Sequence, residues 1–435
     1  MEHQSIRSVG VWGAIAIGIG GMVGGGIFAV LGEAVSLAHG ATFVAFFIAG
    51  LVALLTAYSY AKLSVALPNR GGTVVFVDRA FKKNLLSGSV NLMLWLSYLV
   101  TISLYATAFA SYGATFFQEP TPFWLEHILI TVAILLPMLI NLVSASFVSK
   151  SETIFVFIKV TLLLVIIASG LFFVDTERLA PAHWEAPIAI VTAGMIIFVA
   201  YEGFELIANA AEEIIEPSKN LPRAFYASVL FVIFLYVTIS IVTVGVVPES
   251  RLMEAKDYAL AIAAEPALGH VGFTLVAVAA LLSTFSAINA TIYGNARLGY
   301  NLAKEGRLPK SLAHEKRHIP GTGVIVTSLL SIALANTISL TEIAIIGSAG
   351  FLLIFFIVNI AAYKMRGLIH AKSSILVSAI IMSALALVTL LYHTYSSNPR
   401  AIAVFVSFIV ISFLFELFYG RLIRGQFFER QYTKR

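Results

Sequence analysis

The sequence predicts an all-α integral membrane protein of twelve spans, two of them broken in mid-membrane. Three observations carry this. Of 435 residues, 59% are hydrophobic and only 12% charged, with a mean hydropathy of +0.93. That is more apolar surface than a water-soluble domain can hide. Twelve stretches hold roughly the 20 apolar residues of helix that cross a hydrocarbon core of about 30 Å. Two of these stretches are interrupted where a helix should continue.

In chain order the spans are expected near 10–36, 41–66, 86–116, 128–148, 152–174, 187–211, 224–248, 270–303, 322–339, 343–363, 373–393 and 401–420. Turn-forming residues divide them: Pro68-Asn-Arg-Gly-Gly72, Glu119-Pro-Thr-Pro122 and Pro217-Ser-Lys-Asn-Leu-Pro222. The ninth and tenth are parted only by Ser339 to Glu342. Two loop segments read as amphipathic surface helices, Phe76–Lys83 and Arg251–Ala264. The first span runs past the length of a signal-peptide core, so a cleaved signal is not expected.

Charge orients the chain. Of its 28 Lys and Arg, only Arg178, Arg251, Lys256 and Arg400 fall in loops on one side. The opposite loops hold Arg70, Arg79, Lys82 and Lys83, then Lys304, Arg307, Lys310, Lys316 and Arg317, and a basic tail from Arg421 to Arg435. Basic loops lie inside, which puts both termini in the cytoplasm and a multi-pass protein in the cell membrane. The net charge of +5 then reflects these loops, and no nucleic-acid partner is expected. There is no cysteine, which excludes disulfides, thiol catalysis and thiolate metal sites.

The first interruption reads Gly18-Ile-Gly-Gly-Met-Val-Gly-Gly-Gly-Ile-Phe28 and the second Phe198-Val-Ala-Tyr-Glu-Gly-Phe-Glu205. Each interior glycine costs a helix about 1 kcal/mol relative to alanine. Unwound backbone cannot face lipid, so it must line a cavity or touch a ligand. Such breaks at matching places in two halves of a chain point to the substrate site of a secondary transporter. An α-amino acid suits them. The N–H groups at the start of one half-helix would receive its carboxylate, and the carbonyl end of the other its ammonium. The candidate substrate-binding residues are Met22, Val23, Gly24, Gly25, Gly26, Phe198, Ala200, Tyr201, Glu202 and Glu205. The plainer reading of the glycines is close helix packing, since Gly20 and Gly24 form a GxxxG. Trp95, Tyr98 and Tyr293 are further candidates for a pocket wall.

Three ionisable residues sit at costly depth. Glu202 or Glu205 would carry a proton, pair with a cationic cargo, or simply hydrogen-bond a neighbouring helix. Lys159 lies eight residues into the fifth span, about 12 Å along it. Protonated, it would bridge spans through carbonyls near Gly20 and hydroxyls of Ser283, Thr284 or Ser286; deprotonated, it would release them. Snorkelling to the surface is the alternative. The histidines fall in loops or at span ends, which argues against an intramembrane enzyme. No phosphate-binding loop is present, which argues against ATP drive. A selectivity filter is usually assembled from several chains, which disfavours a channel.

These residues also carry a resemblance. Val23-Gly-Gly-Gly-Ile-Phe28 resembles the Gly-x-Gly-Ile-Phe signature of the amino acid–polyamine–organocation superfamily, with Gly25 where serine or alanine is common. Phe198–Phe204 resembles its Phe-x-Ala-Tyr-x-Gly-Phe pattern. Ala211-Glu-Glu-Ile-Ile-Glu-Pro217, Leu221-Pro-Arg-Ala224 and Ala296–Pro309 are similar to the segments that follow. The likeness spans 10 to about 420 and is nearest to the archaeal proton-coupled, broad-specificity members, with Lys159 in the matching span. It implies a LeuT-type fold in which 1–180 and 181–365 are inverted five-helix repeats, helices 1 and 6 are discontinuous, and 366–435 holds two peripheral helices and the tail. It implies Na⁺-independent amino-acid uptake with H⁺ as coupling ion, no cofactor and no metal, by a monomer or weak homo-oligomer. Proton-coupling residues would be Lys159, Gly20, Ser283 and Ser286. Exchange of amino acids or polyamines is the alternative. Acids at both Glu202 and Glu205 depart from the pattern and leave room for a cationic or narrower substrate.

Overall fold

The computed structural model describes residues 7–117, 122–143, 145–315 and 319–424, with side chains for all but 145–154 and 421–424. The turn residues Glu119 to Thr121, the cations Lys316 and Arg317, and the tail from 425 lie outside the described residues.

Among the described residues, sixteen α-helices follow one another: α1 Val11–Met22, α2 Gly26–Ala38, α3 Thr42–Ala66, α4 Thr73–Phe81, α5 Leu85–Ala114, α6 Phe123–Val143, α7 Ala145–Gly170, α8 Pro187–Ile196, α9 Leu206–Asn209, α10 Pro217–Val246, α11 Glu249–Glu254, α12 Ala259–Lys304, α13 Gly321–Ala335, α14 Leu340–Lys364, α15 Ser373–Ser397 and α16 Pro399–Arg424. Among the described residues, ten helical stretches are long and apolar enough to cross a membrane, and an eleventh if α1 and α2, bent by 49°, count as one. The ninth expected span, α13, has only 15 residues, about 22 Å of helix, short of the bilayer core. The division between it and α14 is clear. Ser339 accepts from the Glu342 N–H while the Glu342 carboxylate accepts from the Ser339 N–H, a reciprocal cap. The fourth span begins five residues before its expected start, at Phe123, because Pro122 and the apolar Phe123 and Trp124 open the helix. The eighth begins with an apolar stretch from Ala259, buried through Ala264, that turns into the span at Gly269, whose φ of 62° suits glycine.

Burial sorts the helices. In α5 and in the stretch from α8 to α9, 89% of the apolar window is inside the protein; in α16 it is 22%. The outer helices instead turn large apolar side chains outward, such as Phe123 and Phe157, as lipid-facing surfaces do.

The two broken stretches lie side by side and antiparallel. At one end Val9 pairs with Ile214, the Ile215 N–H donating to the Val9 carbonyl at 2.9 Å. At the other, His39 pairs with Trp184, and the Gly40 N–H donates to the His183 carbonyl at 3.0 Å. In the middle Gly21 lies on Gly203: a Cβ on Gly203 would stand 2.3 Å from the Gly21 carbonyl carbon. Gly203 has φ +118°, so only glycine meets both demands.

Ion pairs fasten the loops at each end. Near the basic loops, Asp78 on α4 binds Arg307 after α12; both are buried. The Asn91 amide donates to Asp78 at 3.0 Å, and Arg307 also meets Glu305 at 3.1 Å. At the opposite end, Lys256 pairs with Glu33 of α2, and the Thr341 hydroxyl of α14 donates to Glu33 at 2.9 Å. Removing one partner of a buried pair strands the other charge. Asp78→Leu is therefore expected to cost about 3–5 kcal/mol, and Arg307→Met added to it to restore most of the loss. Thermal unfolding in detergent checks this; a double variant no more stable than the single would contradict it.

Candidate substrate site

Breaking a helix frees backbone groups that must find partners. At the first break, α1 ends at Met22, residues 23–25 are unwound, and α2 starts at Gly26. Its freed carbonyls are caught by side chains from three helices. The Lys159 ammonium of α7 donates to Gly20 at 2.9 Å. The Tyr236 hydroxyl of α10 donates to Met22 at 2.7 Å. The Ser283 hydroxyl of α12 donates to Gly24 at 2.9 Å. The N–H groups of the first turn of α2 lack intrahelical acceptors, and the helix dipole makes this end partly positive.

At the second break, α8 tightens into a 3₁₀ turn over Ile197–Tyr201, and Glu202 is extended before α9. Ser348 of α14 stitches the junction, donating to Ile196 at 2.6 Å and accepting the Val199 N–H at 2.9 Å. Tyr236 lies within 3.2 Å of the Ala200 carbonyl as well, so one phenol reaches both breaks. Glu205 folds back: its carboxylate accepts the Gly203 N–H at 2.8 Å and the Tyr98 hydroxyl at 3.2 Å. Glu202 accepts the Tyr105 hydroxyl at 3.5 Å. Glu202, Glu205 and Lys159 are all buried.

Beside the breaks is a cavity of about 270 Å³. Gly20, Tyr98, Tyr105, Lys159, Glu202 and Ser286 line its inner part. Arg70, Asn209 and Arg297 line it toward the loops that carry most of the basic residues. A small polar molecule entering there meets backbone, phenols, an amine and a carboxylate within one enclosure.

Of the residues expected from sequence, Gly20, Lys159, Glu202 and Ser286 are on this wall, as are Tyr98 and Tyr293. Met22, Val23, Gly24, Gly25, Gly26, Phe198, Ala200, Tyr201, Glu205 and Ser283 stand behind it. Packing explains the difference. The Tyr105 ring, itself part of the wall, covers Gly25: a Cβ there would lie 2.4 Å from it. Gly26 rests on the Ala200 backbone, where a Cβ would be 2.9 Å from Cα, so this glycine serves close packing. Phe198 stacks edge-on with Phe355, and the Tyr201 hydroxyl donates to the Phe46 carbonyl at 2.8 Å. Thr284 bonds carbonyls of its own helix. Trp95 lies against Gly299.

Sequence reading missed Tyr105, Tyr236 and Ser348. A signal existed for Tyr236: a tyrosine in mid-span, in Phe234-Leu-Tyr-Val237, has a hydroxyl that needs a buried partner. Nothing in the sequence names that partner.

Comparison with known proteins covers the stretch that holds both breaks. The profile of a family described as amino acid permease matches residues 9–419. An uncharacterized protein of Methanocaldococcus jannaschii is 31% identical over 431 residues, 98% of this chain and 99% of that protein. The inner membrane transport protein YbaT of Escherichia coli is 32% identical over 411 residues, 94% of this chain and 95% of its own. A methylthioribose transporter of Bacillus subtilis is 25% identical over 383 residues, 83% of this chain and 81% of its own.

Tyr236→Phe would take from the Met22 and Ala200 carbonyls the one phenol proton they share, at about 1–3 kcal/mol in all for the buried acceptor left unpaired. A lower unfolding midpoint in detergent is expected, with weaker substrate binding because both breaks lose their shared partner. Unchanged stability and affinity would show that the phenol does not organise the breaks.

Proposed function

The chain belongs to the amino acid permease family, and we propose that it carries amino acids across the cell membrane by alternating access, as a Na⁺-independent proton symporter. It is a multi-pass membrane transporter, not an enzyme. The observation that carries the finer reading is the Lys159–Gly20 contact. A buried ammonium holds a carbonyl freed by the first break, on the wall of the same cavity that Glu202 lines.

The cargo's ammonium would meet the carbonyls of the unwound segments, and its carboxylate the positive start of α2. Tyr105 covers Gly25 in this conformation, so the carboxylate reaches that helix end when the ring swings aside. This makes Tyr105 the inner gate of the site. Charged Lys159 ties α7 to α1 through Gly20. Loss of its proton removes the donor's charge, loosens the tie and frees α1 to move, which couples proton release to reorientation. Under the positive-inside rule the cavity's mouth at Arg70 and Arg297 is cytoplasmic, and the conformation is inward-facing. The LeuT-type arrangement fits the antiparallel broken stretches: 1–180 and 181–365 as inverted repeats, α13 completing twelve spans by local thinning of the bilayer, and 366–435 peripheral, both termini in the cytoplasm. The transporter needs no cofactor or metal beyond its coupling proton, and works as a monomer or weak homo-oligomer.

Labelled uptake into proteoliposomes, competed by each of the twenty amino acids and by methylthioribose, with and without an imposed pH gradient, tests the reading. Inhibition by amino acids and stimulation by an inward proton gradient are expected. Inhibition by methylthioribose alone would move the cargo to another class, and uptake that requires internal amino acid would make the protein an exchanger. Lys159→Ala is expected to fold and to keep counterflow of its cargo while losing gradient-driven accumulation. Undiminished pH-driven uptake in that variant would remove the lysine from the coupling.

A further inference from the structure

We propose that a groove on the outer face of α5, away from the substrate cavity, binds one anionic glycerophospholipid of the surrounding bilayer. The groove lies between α5, α14 and α16, has a volume of about 520 Å³, and is walled by Val90, Met93, Leu353, Ile357, Ile409 and Phe413. Of its polar lining, Ser412 lies deep, buried against the Met93 sulfur at 4.0 Å, and the rest is at one end. Asn84 and Ser89 sit at the α5 N-terminus, where the Asn84 side chain caps the helix by accepting the Ser87 N–H at 3.1 Å. From Asn84 to Met93 the groove follows α5 for about 13 Å at 1.5 Å per residue. It therefore starts at a helix terminus, where water and headgroups lie, and runs into the apolar layer.

Positive charge surrounds that terminus. Lys82 and Lys83 immediately precede Asn84, both in the left-handed region at φ 61° and 49°. Exposed Arg79 is one turn back in α4. From α14, Lys364 reaches the Phe81 ring at 4.3 Å. Basic pockets between membrane helices recruit anionic headgroups, and each further cation near the surface strengthens the attraction. The occupant follows from the two halves together. A free anion gains nothing from the apolar wall, and a zwitterionic lipid gains little from the cations. A phospholipid of net negative charge uses both, its phosphate at 82–84 and one acyl chain along α5. The site also has a route to transport. Met93 lines the groove, while its neighbour Leu94 and Tyr98 one turn on line the substrate cavity. A chain seated against α5 bears on the helix that carries the Tyr98 and Tyr105 hydroxyls.

Native mass spectrometry of the full chain, released from detergent with phosphatidylglycerol, phosphatidylcholine or phosphatidylethanolamine, tests this. One phosphatidylglycerol is expected to stay bound at least fivefold more than either zwitterionic lipid. The Lys82→Gln/Lys83→Gln variant and the groove-filling Ser89→Phe variant, each confirmed as folded by its unfolding midpoint, are both expected to lose that preference. Lys310→Gln, at an exposed cation on another loop, is expected to keep it. Equal retention of the three lipids, unchanged phosphatidylglycerol retention in both groove variants, an equal loss in Lys310→Gln, or a dimer in place of a lipid adduct would each overturn the proposal.

Discussion

A backbone that leaves its helix inside a membrane must be paired by something other than water or lipid, and the interior of this protein is built around that requirement. Three carbonyls of the first break are held by Lys159, Tyr236 and Ser283, from α7, α10 and α12. The second break is held by Ser348 and Tyr236. Each donor has a mobile proton or a rotatable bond, unlike the amide it replaces. The breaks are thus stable while paired, and their pairing can change one contact at a time.

Much of this was legible in the residues. Apolar runs marked the spans, because lipid imposes length and composition directly on sequence. A glycine cluster marked the first break, because helix propensity is local; Gly203 between the acids Glu202 and Glu205 marked the second. Lys159 pointed to a small set of partners, the carbonyls near Gly20 or the hydroxyls of Ser283, Thr284 and Ser286, because an ammonium at that depth has few places to go; the structure gives it Gly20. What stayed hidden depends on residues far apart in the chain. Gly24, Gly25 and Gly26 look alike in sequence, yet Gly25 lies under the Tyr105 ring and Gly26 on Ala200. Glu202 and Glu205 are three apart, yet the first lines the cavity and the second caps the Gly203 N–H. Only the irregular backbone between them separates those roles, and periodicity says nothing about irregular backbone.

The charged residues divide along the same lines. Those in the loops serve orientation, as their count suggests. Outside the breaks, buried Asp78 pairs with Arg307 at one end, and buried Glu33 pairs with the partly exposed Lys256 at the other. Buried pairs add little net stability against apolar substitutes, so their value lies in holding particular segments together. Asp78 joins α4 to the segment after α12, and Lys256 joins the loop beyond α10 to α2. The cavity's lining reaches Arg70 and Thr73, on the Asp78 side, and does not include Glu33 or Lys256.

The contact of Gly21 with Gly203 has a mechanical meaning. Meshed side chains would lock two rods in register like gear teeth, and any turn would have to climb over them. Two bare peptide planes have no teeth. Pinned at both tips by the Val9–Ile214 and His39–Trp184 bridges, the rods resist sliding lengthwise but can roll against each other about this smooth bearing.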